Sequence, residues 1–320
     1  MLLNFDETSK FIEDGGLLHI AGNEGLLRKL PKGKWIGGST EYFMTNEGGK
    51  ISSELLFVTK FYFENFNLKT YDALEIENVT ADAFDNGFSI AIIPFDSEVH
   101  RKYSENASNF KDIFTKHIVG WIAGLNLQKP EQIPIAVNGI TGEVFSDKAV
   151  VLHLEAASDK MVAVNIVNIF EQDENSPVIT FREDGFMAKK CFVDGEETAF
   201  ADYIKKNNID IKLPLIGDYS GARVNTSFKA IENDVVSFYA PVFSGIKYQI
   251  AKNIPDYATA FGSRLEGLCC KNIVFSCNCI LNFLYGEFEG KSFDALEGPI
   301  TFGEVAYQLV NQTLVYVTVD

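Results

Sequence analysis

Short runs of apolar, aromatic and β-branched residues recur along the whole chain, each closed by glycine, proline or asparagine. They include residues 17–21, SELLFVTKFYF at 53–63, GFSIAIIPF at 87–95, IPIAVNGI at 133–140, KAVVLHLEA at 148–156 and MVAVNIVNIF at 161–170. RVNTSFKAI at 223–231, VVSFYAPVF at 235–243, NIVFSCNCIL at 272–281 and TLVYVTV at 313–319 continue the series. Runs of this length and composition read as strands. Helical spacing is confined to a few stretches. In 104–125, Phe110, Ile113, Phe114, His117, Ile118, Trp121 and Ile122 share a helical face, and 196–207 and 256–268 read likewise. Asn23 is placed to cap a short helix running to Leu30. The pattern predicts an α+β protein of mixed, largely antiparallel sheets flanked by helices.

A chain of 320 residues exceeds the size at which one core stops growing, about 250–300 residues, so two domains are expected. The polar run EQDENSP at 171–177 and the Asp184-Gly185 pair put the boundary near residue 190, giving domains at 1–190 and 191–320, two related halves facing each other across a cleft. The net charge of −16 repels phosphate backbones and anionic bilayers, which excludes nucleic acid and membrane surfaces as partners. MLLNFDETSKFIEDGG has no basic segment leading into an apolar core, and no run approaches the roughly 18 apolar residues of a membrane helix. Five cysteines without a secretory leader are expected to stay reduced, which points to the cytoplasm.

Three turns share glycine or proline, a spacer, threonine and a nearby glutamate. They are Gly37-Gly38-Ser39-Thr40-Glu41, Asn138-Gly139-Ile140-Thr141-Gly142-Glu143 and Gly298-Pro299-Ile300-Thr301-Phe302-Gly303-Glu304. Glycine admits a close backbone approach, and threonine hydroxyls with free N–H groups can hold a polar guest, so Thr40, Thr141, Glu143, Thr301 and Glu304 are candidate ligand-binding residues. The same turns also serve as ordinary hairpin connections. In so acidic a chain, Arg223 and Arg264 are the natural clamps for a ligand carboxylate. Cys269, Cys270, Cys277 and Cys279 cluster, but their spacing is not that of a thiolate metal site. His19, His100, His117 and His153 show no ligand spacing either. No metal, cofactor or catalytic constellation is therefore expected.

NIVFSCNCI followed by GPITFGEVAYQLVNQTLVYV resembles the closing motif of FIST domains, and LPLIGDYSGARVNTSF with VVSFYAPVF resembles the hairpins that open the C-terminal FIST region. NGITGEVFSDKAVVLHL is similar to a turn and strand of the N-terminal region. The resemblance is to a stand-alone, divergent form, since Asn278, Cys279, Ile280 and Leu281 follow Cys277 where the family usually has an arginine. It implies a sensory module that binds a small ligand such as an amino acid or similar anion. Two alternatives stand beside it. One is a thiol-dependent hydrolase or transferase with Cys277 in the cleft; the other is a signalling component that binds a protein partner through Tyr42, Phe43 and Tyr307. The oligomeric state is left open.

Overall fold

The computed structural model describes residues 1–320 except 267, 269–271 and 294–295. Its first 61 residues form β1 (Leu2–Leu3), α1 (Phe5–Glu13), β2 (Leu17–Gly22), α2 (Glu24–Leu27), β3 (Trp35–Ser39), the hairpin β4 (Tyr42–Thr45) and β5 (Gly48–Ile51), and β6 (Leu56–Phe61). The next stretch repeats the plan with β7 (Phe66–Tyr71), β8 (Gly87–Pro94), α3 (Glu98–Asn106), β9 (His117–Ala123), the hairpin β10 (Ala136–Asn138) and β11 (Glu143–Phe145), and β12 (Ala149–Glu155). A third unit opens with β13 (Val162–Asn168) and is then interrupted. The insertion holds β14 (Ile179–Thr180), β15 (Gly185–Ala188), β16 (Lys190–Val193), β17 (Glu196–Ala199), α4 (Phe200–Lys206), β18 (Leu215–Tyr219), β19 (Ala222–Thr226), β20 (Phe228–Glu232), β21 (Val235–Val242), β22 (Lys247–Ile250) and α5 (Tyr257–Glu266). The third unit resumes with β23 (Ile273–Cys279), α6 (Ile280–Tyr285), β24 (Gly298–Thr301), the hairpin β25 (Glu304–Ala306) and β26 (Gln308–Val310), and β27 (Thr313–Val319).

Three six-stranded sheets have the same order: β1-β6-β2-β3-β10-β11, β7-β12-β8-β9-β25-β26 and β13-β27-β23-β24-β4-β5. In each, a central strand runs parallel to its successor across a helical crossover and antiparallel to the unit's last strand. The remaining two strands are a hairpin lent by another unit. β4 pairs with β24, β10 with β3, and β25 with β9, which closes a ring of three exchanges. Repetition is thus threefold in topology, and sheet pairings cross residue 190, where β14 pairs with β16.

One face of each of these three sheets turns into a shared core that includes Ile36, Phe57, Phe88, Trp121, Phe275 and Val315. Outer faces are covered by helices: Ile12 of α1 and Leu27 of α2 over the first sheet, and residues such as Tyr103, Phe261 and Phe283 of α3, α5 and α6 over the other two. Burial on both faces explains why so many strands read as continuous apolar runs. Space between sheets is tight: a Cβ on Gly38 would lie 2.5 Å from Ile92 and 2.7 Å from Trp121. The inserted sheets keep their own core around Phe181, Phe200, Phe228, Phe238 and Tyr248.

Two helical expectations are corrected. Residues 104–125 hold the end of α3 and all of β9, because Ile118, Val119, Trp121 and Ile122 are buried on both strand faces, and such a run mimics a helical period. Residues 196–199 are a strand, and the helix begins only at Phe200. Asn23 does cap α2, accepting from the Gly25 N–H, but that helix ends at Leu27. Among the described residues, no helix is long and apolar enough to cross a membrane.

Candidate functional site

The three threonine turns do not converge. The first and third are equivalent: each carries the chain out of one sheet into the hairpin that completes another. There the sheets are laced together. Ser39 Oγ donates to the Gly124 carbonyl at 2.7 Å, Thr40 Oγ1 to the Ile300 carbonyl at 2.7 Å, and the Phe302 N–H to the Ile122 carbonyl at 3.0 Å. Thr40 and Thr301 are both buried among these inter-sheet bonds. The middle turn is instead the exposed tip of the β10–β11 hairpin, where Asn138 Oδ1 accepts from the Ile140 and Thr141 N–H groups and Thr141 Oγ1 from that of Glu143. Local turn geometry accounts for those residues.

The two equivalent crossings hold their carboxylates differently. Glu41 accepts from Asn23, Asn126 and Gln132 at 2.6, 2.6 and 3.0 Å. Burial opposes its charge, but the amides of Gln132, Asn126 and Asn23, with Lys129, hold its carboxyl below the usual range. Glu304 is fully buried beside the Cys279 thiol, with Thr313 Oγ1 donating at 2.7 Å and Thr301 Oγ1 at 3.1 Å from its other oxygen. Burial outweighs the hydrogen bonds from Thr313, Thr301 and Cys279 and pushes its carboxyl up to about 8, so it is a neutral acid at pH 7.

Cys277 packs in the shared core with its Sγ 3.3 Å from the Gly120 carbonyl, and burial holds its thiol well above the usual range, the signature of an inert cysteine. Cys269 and Cys270 lie outside the described residues. Arg223 and Arg264 are exposed, and both lie near the surface acid Glu171, whose own hydrogen-bonded partner is Lys252. They face solvent rather than any threonine turn. Tyr42 and Phe43, expected to be exposed, are buried, and Tyr307 is half-buried. His117 lies on β9, not on a helix, with Nδ1 3.0 Å from the Gly87 carbonyl.

A better-built site lies where α3 faces the inserted sheet. A cavity of about 430 Å³ is lined by Phe95, His100 and Arg101 on one side and by Phe186, Lys229 and Tyr239 on the other. Its size falls within the range of about 300–1,000 Å³ usual for small-molecule sites, which favour such interfaces between packed units. β8 delivers Phe95, and Ser97 then caps α3 by accepting from the His100 N–H at 3.1 Å. The helix buries Val99 and Tyr103, which leaves His100, Arg101 and Glu105 along the edge toward the cavity.

Across the cavity, β20 steps two residues from Phe228 to Ala230 while β21 steps one, from Phe238 to Ser237. Lys229 is the extra residue of this bulge, a device that re-aims a side chain out of the regular ladder. Phe186 sits at a second irregularity, between Gly185 and Met187 of β15.

The His100 ring lies 5.6 Å from that of Phe95 and 5.9 Å from that of Phe186, and its Nε2 is buried without a hydrogen-bond partner. Burial first, and then the charges of Lys229 and Arg101, lower its pKa to about 4, so the imidazole is neutral at pH 7. Lys229 Nζ stands 5.3 Å from the Phe95 ring centre. Asp96, Glu105 and Asp184 supply opposite charge on the same lining. The arrangement offers two cations, an uncommitted imidazole nitrogen, carboxylates and aromatic walls. His100 gave no sequence signal because Phe186 and Lys229, which complete its surroundings, arrive from 86 and 129 positions away, and nothing in FKAI marked Lys229 as a bulge.

Over residues 3–320 the chain matches the model of the family of unknown function DUF6976, and it belongs to that family. No curated protein matches it.

Proposed function

We propose that this member of the family is a small-ligand-binding sensory protein, and that it takes an amino acid or similar small anion in the cleft between α3 and the inserted sheet. One observation carries the reading: His100 Nε2 is buried and unpaired in the wall of a cavity that also presents Lys229 and Arg101. A buried polar atom left unpaired costs about 1–3 kcal/mol, and a ligand that satisfies it recovers that cost. Cations beside carboxylates suit a zwitterion, whose carboxylate would meet Lys229 and Arg101 and whose ammonium would meet Asp96, Glu105 or Asp184. The resemblance to FIST domains points the same way. The burial of Cys277 favours this reading over a thiol enzyme.

The test is a thermal-shift screen of amino acids and small carboxylates, followed by calorimetry on the best of them. A bound ligand raises the melting temperature in proportion to its saturation. Lys229→Ala is expected to weaken binding by at least about tenfold, equivalent to about 1.4 kcal/mol. If no compound raises the melting temperature, or if Lys229→Ala and Arg101→Ala bind as the unaltered chain does, the proposal fails.

A further inference from the structure

His100 belongs to a line of rings. Its imidazole lies 5.6 Å from Phe95 on one side and 5.9 Å from Phe186 on the other, and Phe95 in turn packs 5.5 Å from Phe302. Aromatic pairs favour centroid separations of about 4.5–7 Å, so the line is closely set. Phe186 ends it: among the described residues His100 is its one ring neighbour, and it is only half-buried. It hangs from β15, an edge strand paired with β21 alone, next to Gly185, where an added Cβ would meet nothing within 4 Å. Phe186 is thus the least confined ring of the line.

The cleft divides into an apolar interior and a charged mouth. Phe95, His100, Phe186 and Phe238 line the interior, and the unpaired His100 Nε2 is buried there. Arg101, Lys229 and Asp96 are exposed and Glu105 is half-buried, and among the described residues none of the four forms an ion pair. Both signs of charge therefore stand ready at the mouth. A neutral imidazole nitrogen is a donor or an acceptor according to its tautomer, and a hydroxyl answers either. A group that reaches Nε2 must pass the flanking Phe95 and Phe186 rings, which a flat aromatic body does most easily. At about 430 Å³ the cavity holds a ring as well as a charged head, since a water takes about 30 Å³.

From the ring line, the buried unpaired nitrogen and the two-signed mouth together, we infer that the ligand of this cleft is a hydroxylated aromatic amino acid, tyrosine or a close analogue. The inference rests on the reading of the cleft given above and narrows it. The ring stacks against Phe186 and His100, and its hydroxyl pairs with His100 Nε2. The amino-acid head stays at the mouth, its carboxylate toward Lys229 and Arg101 and its ammonium toward Asp96 or Glu105. Phenylalanine lacks the group that satisfies Nε2, and an aliphatic amino acid lacks the ring as well. A site that hydrogen-bonds a hydroxyl discriminates against the analogue without it, because its own polar atom is then left unpaired.

The probes are L-tyrosine, L-phenylalanine and L-leucine, each titrated into the full chain by calorimetry at pH 7. Tyrosine is expected to bind at least about tenfold tighter than phenylalanine, and leucine more weakly than either. His100→Phe keeps a ring in the line but removes the nitrogen, and should collapse the tyrosine-to-phenylalanine ratio to about twofold or less. Phe186→Ala, on the edge strand, should weaken both aromatic amino acids about fivefold and preserve their ratio. Equal affinities for tyrosine and phenylalanine in the unaltered chain overturn the inference whatever the variants do. Leucine binding as tightly as tyrosine overturns it too, and in either case the wider reading of the cleft stands. If no amino acid or small carboxylate binds, both fall together.

Discussion

Glu304→Gln should flatten the alkaline limb of the stability curve. In the folded chain the carboxyl titrates near 8, against an ordinary value of 4.5, because burial disfavours its charge. The folded state therefore holds a proton that the unfolded state has released between these values. The associated stability is fully present below 4.5 and is lost as pH rises through 8. Between pH 6 and pH 9 the folded group stays protonated over about two units, and at 1.36 kcal/mol per unit this amounts to a loss of about 3 kcal/mol.

Glutamine keeps the shape and can bond Thr301 and Thr313, but it does not titrate. Urea unfolding of both proteins at pH 6 and pH 9 gives the difference directly. The cysteine thiols also titrate toward pH 9 once the chain is unfolded, but they are common to both proteins and cancel. The reasoning is refuted if Glu304→Gln loses as much stability as the unaltered chain over this interval, since the alkaline loss would then arise elsewhere.

Acid should act through the histidines. Burial lowers His19 to about 3 and His100 and His153 to about 4, so their stability is fully present above 6.5 and is lost as pH falls. From pH 7 to pH 5 each contributes a loss of about 2 kcal/mol, which a histidine-to-glutamine variant of any one should remove from the urea midpoint. Glu41→Ala strands the amides of Asn23, Asn126 and Gln132 and should cost about 3 kcal/mol in urea unfolding. Gly120→Ala places a Cβ 1.9 Å from the Ala91 carbonyl at a φ of +145°, and a melting temperature within 3 °C of the unaltered protein would contradict that geometry.

Strand existence was largely legible in the sequence, because runs such as GFSIAIIP and AVVLHLE are buried on both faces and carry apolar residues at nearly every position. The same property hid β9, whose consecutive apolar residues fit a helix as well as a strand. Similarity among the threonine turns did reflect repetition, but only for Thr40 and Thr301. Thr141 shares their spelling without their position, because a hairpin tip and a sheet crossing use the same residues for different geometry. The cleft was out of reach: His100 and Lys229 meet only because an insertion folds back over α3, and no local pattern encodes that approach.

The ring of exchanged hairpins also sets the order in which the chain can be completed as it is made. Met44 of β4 pairs with Gly49 inside its own hairpin, but its partner on the other side is Gly298 of β24. At 5–20 residues per second, a ribosome needs on the order of tens of seconds to deliver that partner. Throughout that interval Phe43 and Met44, both buried in the finished protein, lack the third sheet that completes their burial. A nascent chain halted before β24 thus carries an unsatisfied hairpin, an aggregation hazard that a holding chaperone would relieve, and no amino-terminal fragment can be expected to close its share of the core.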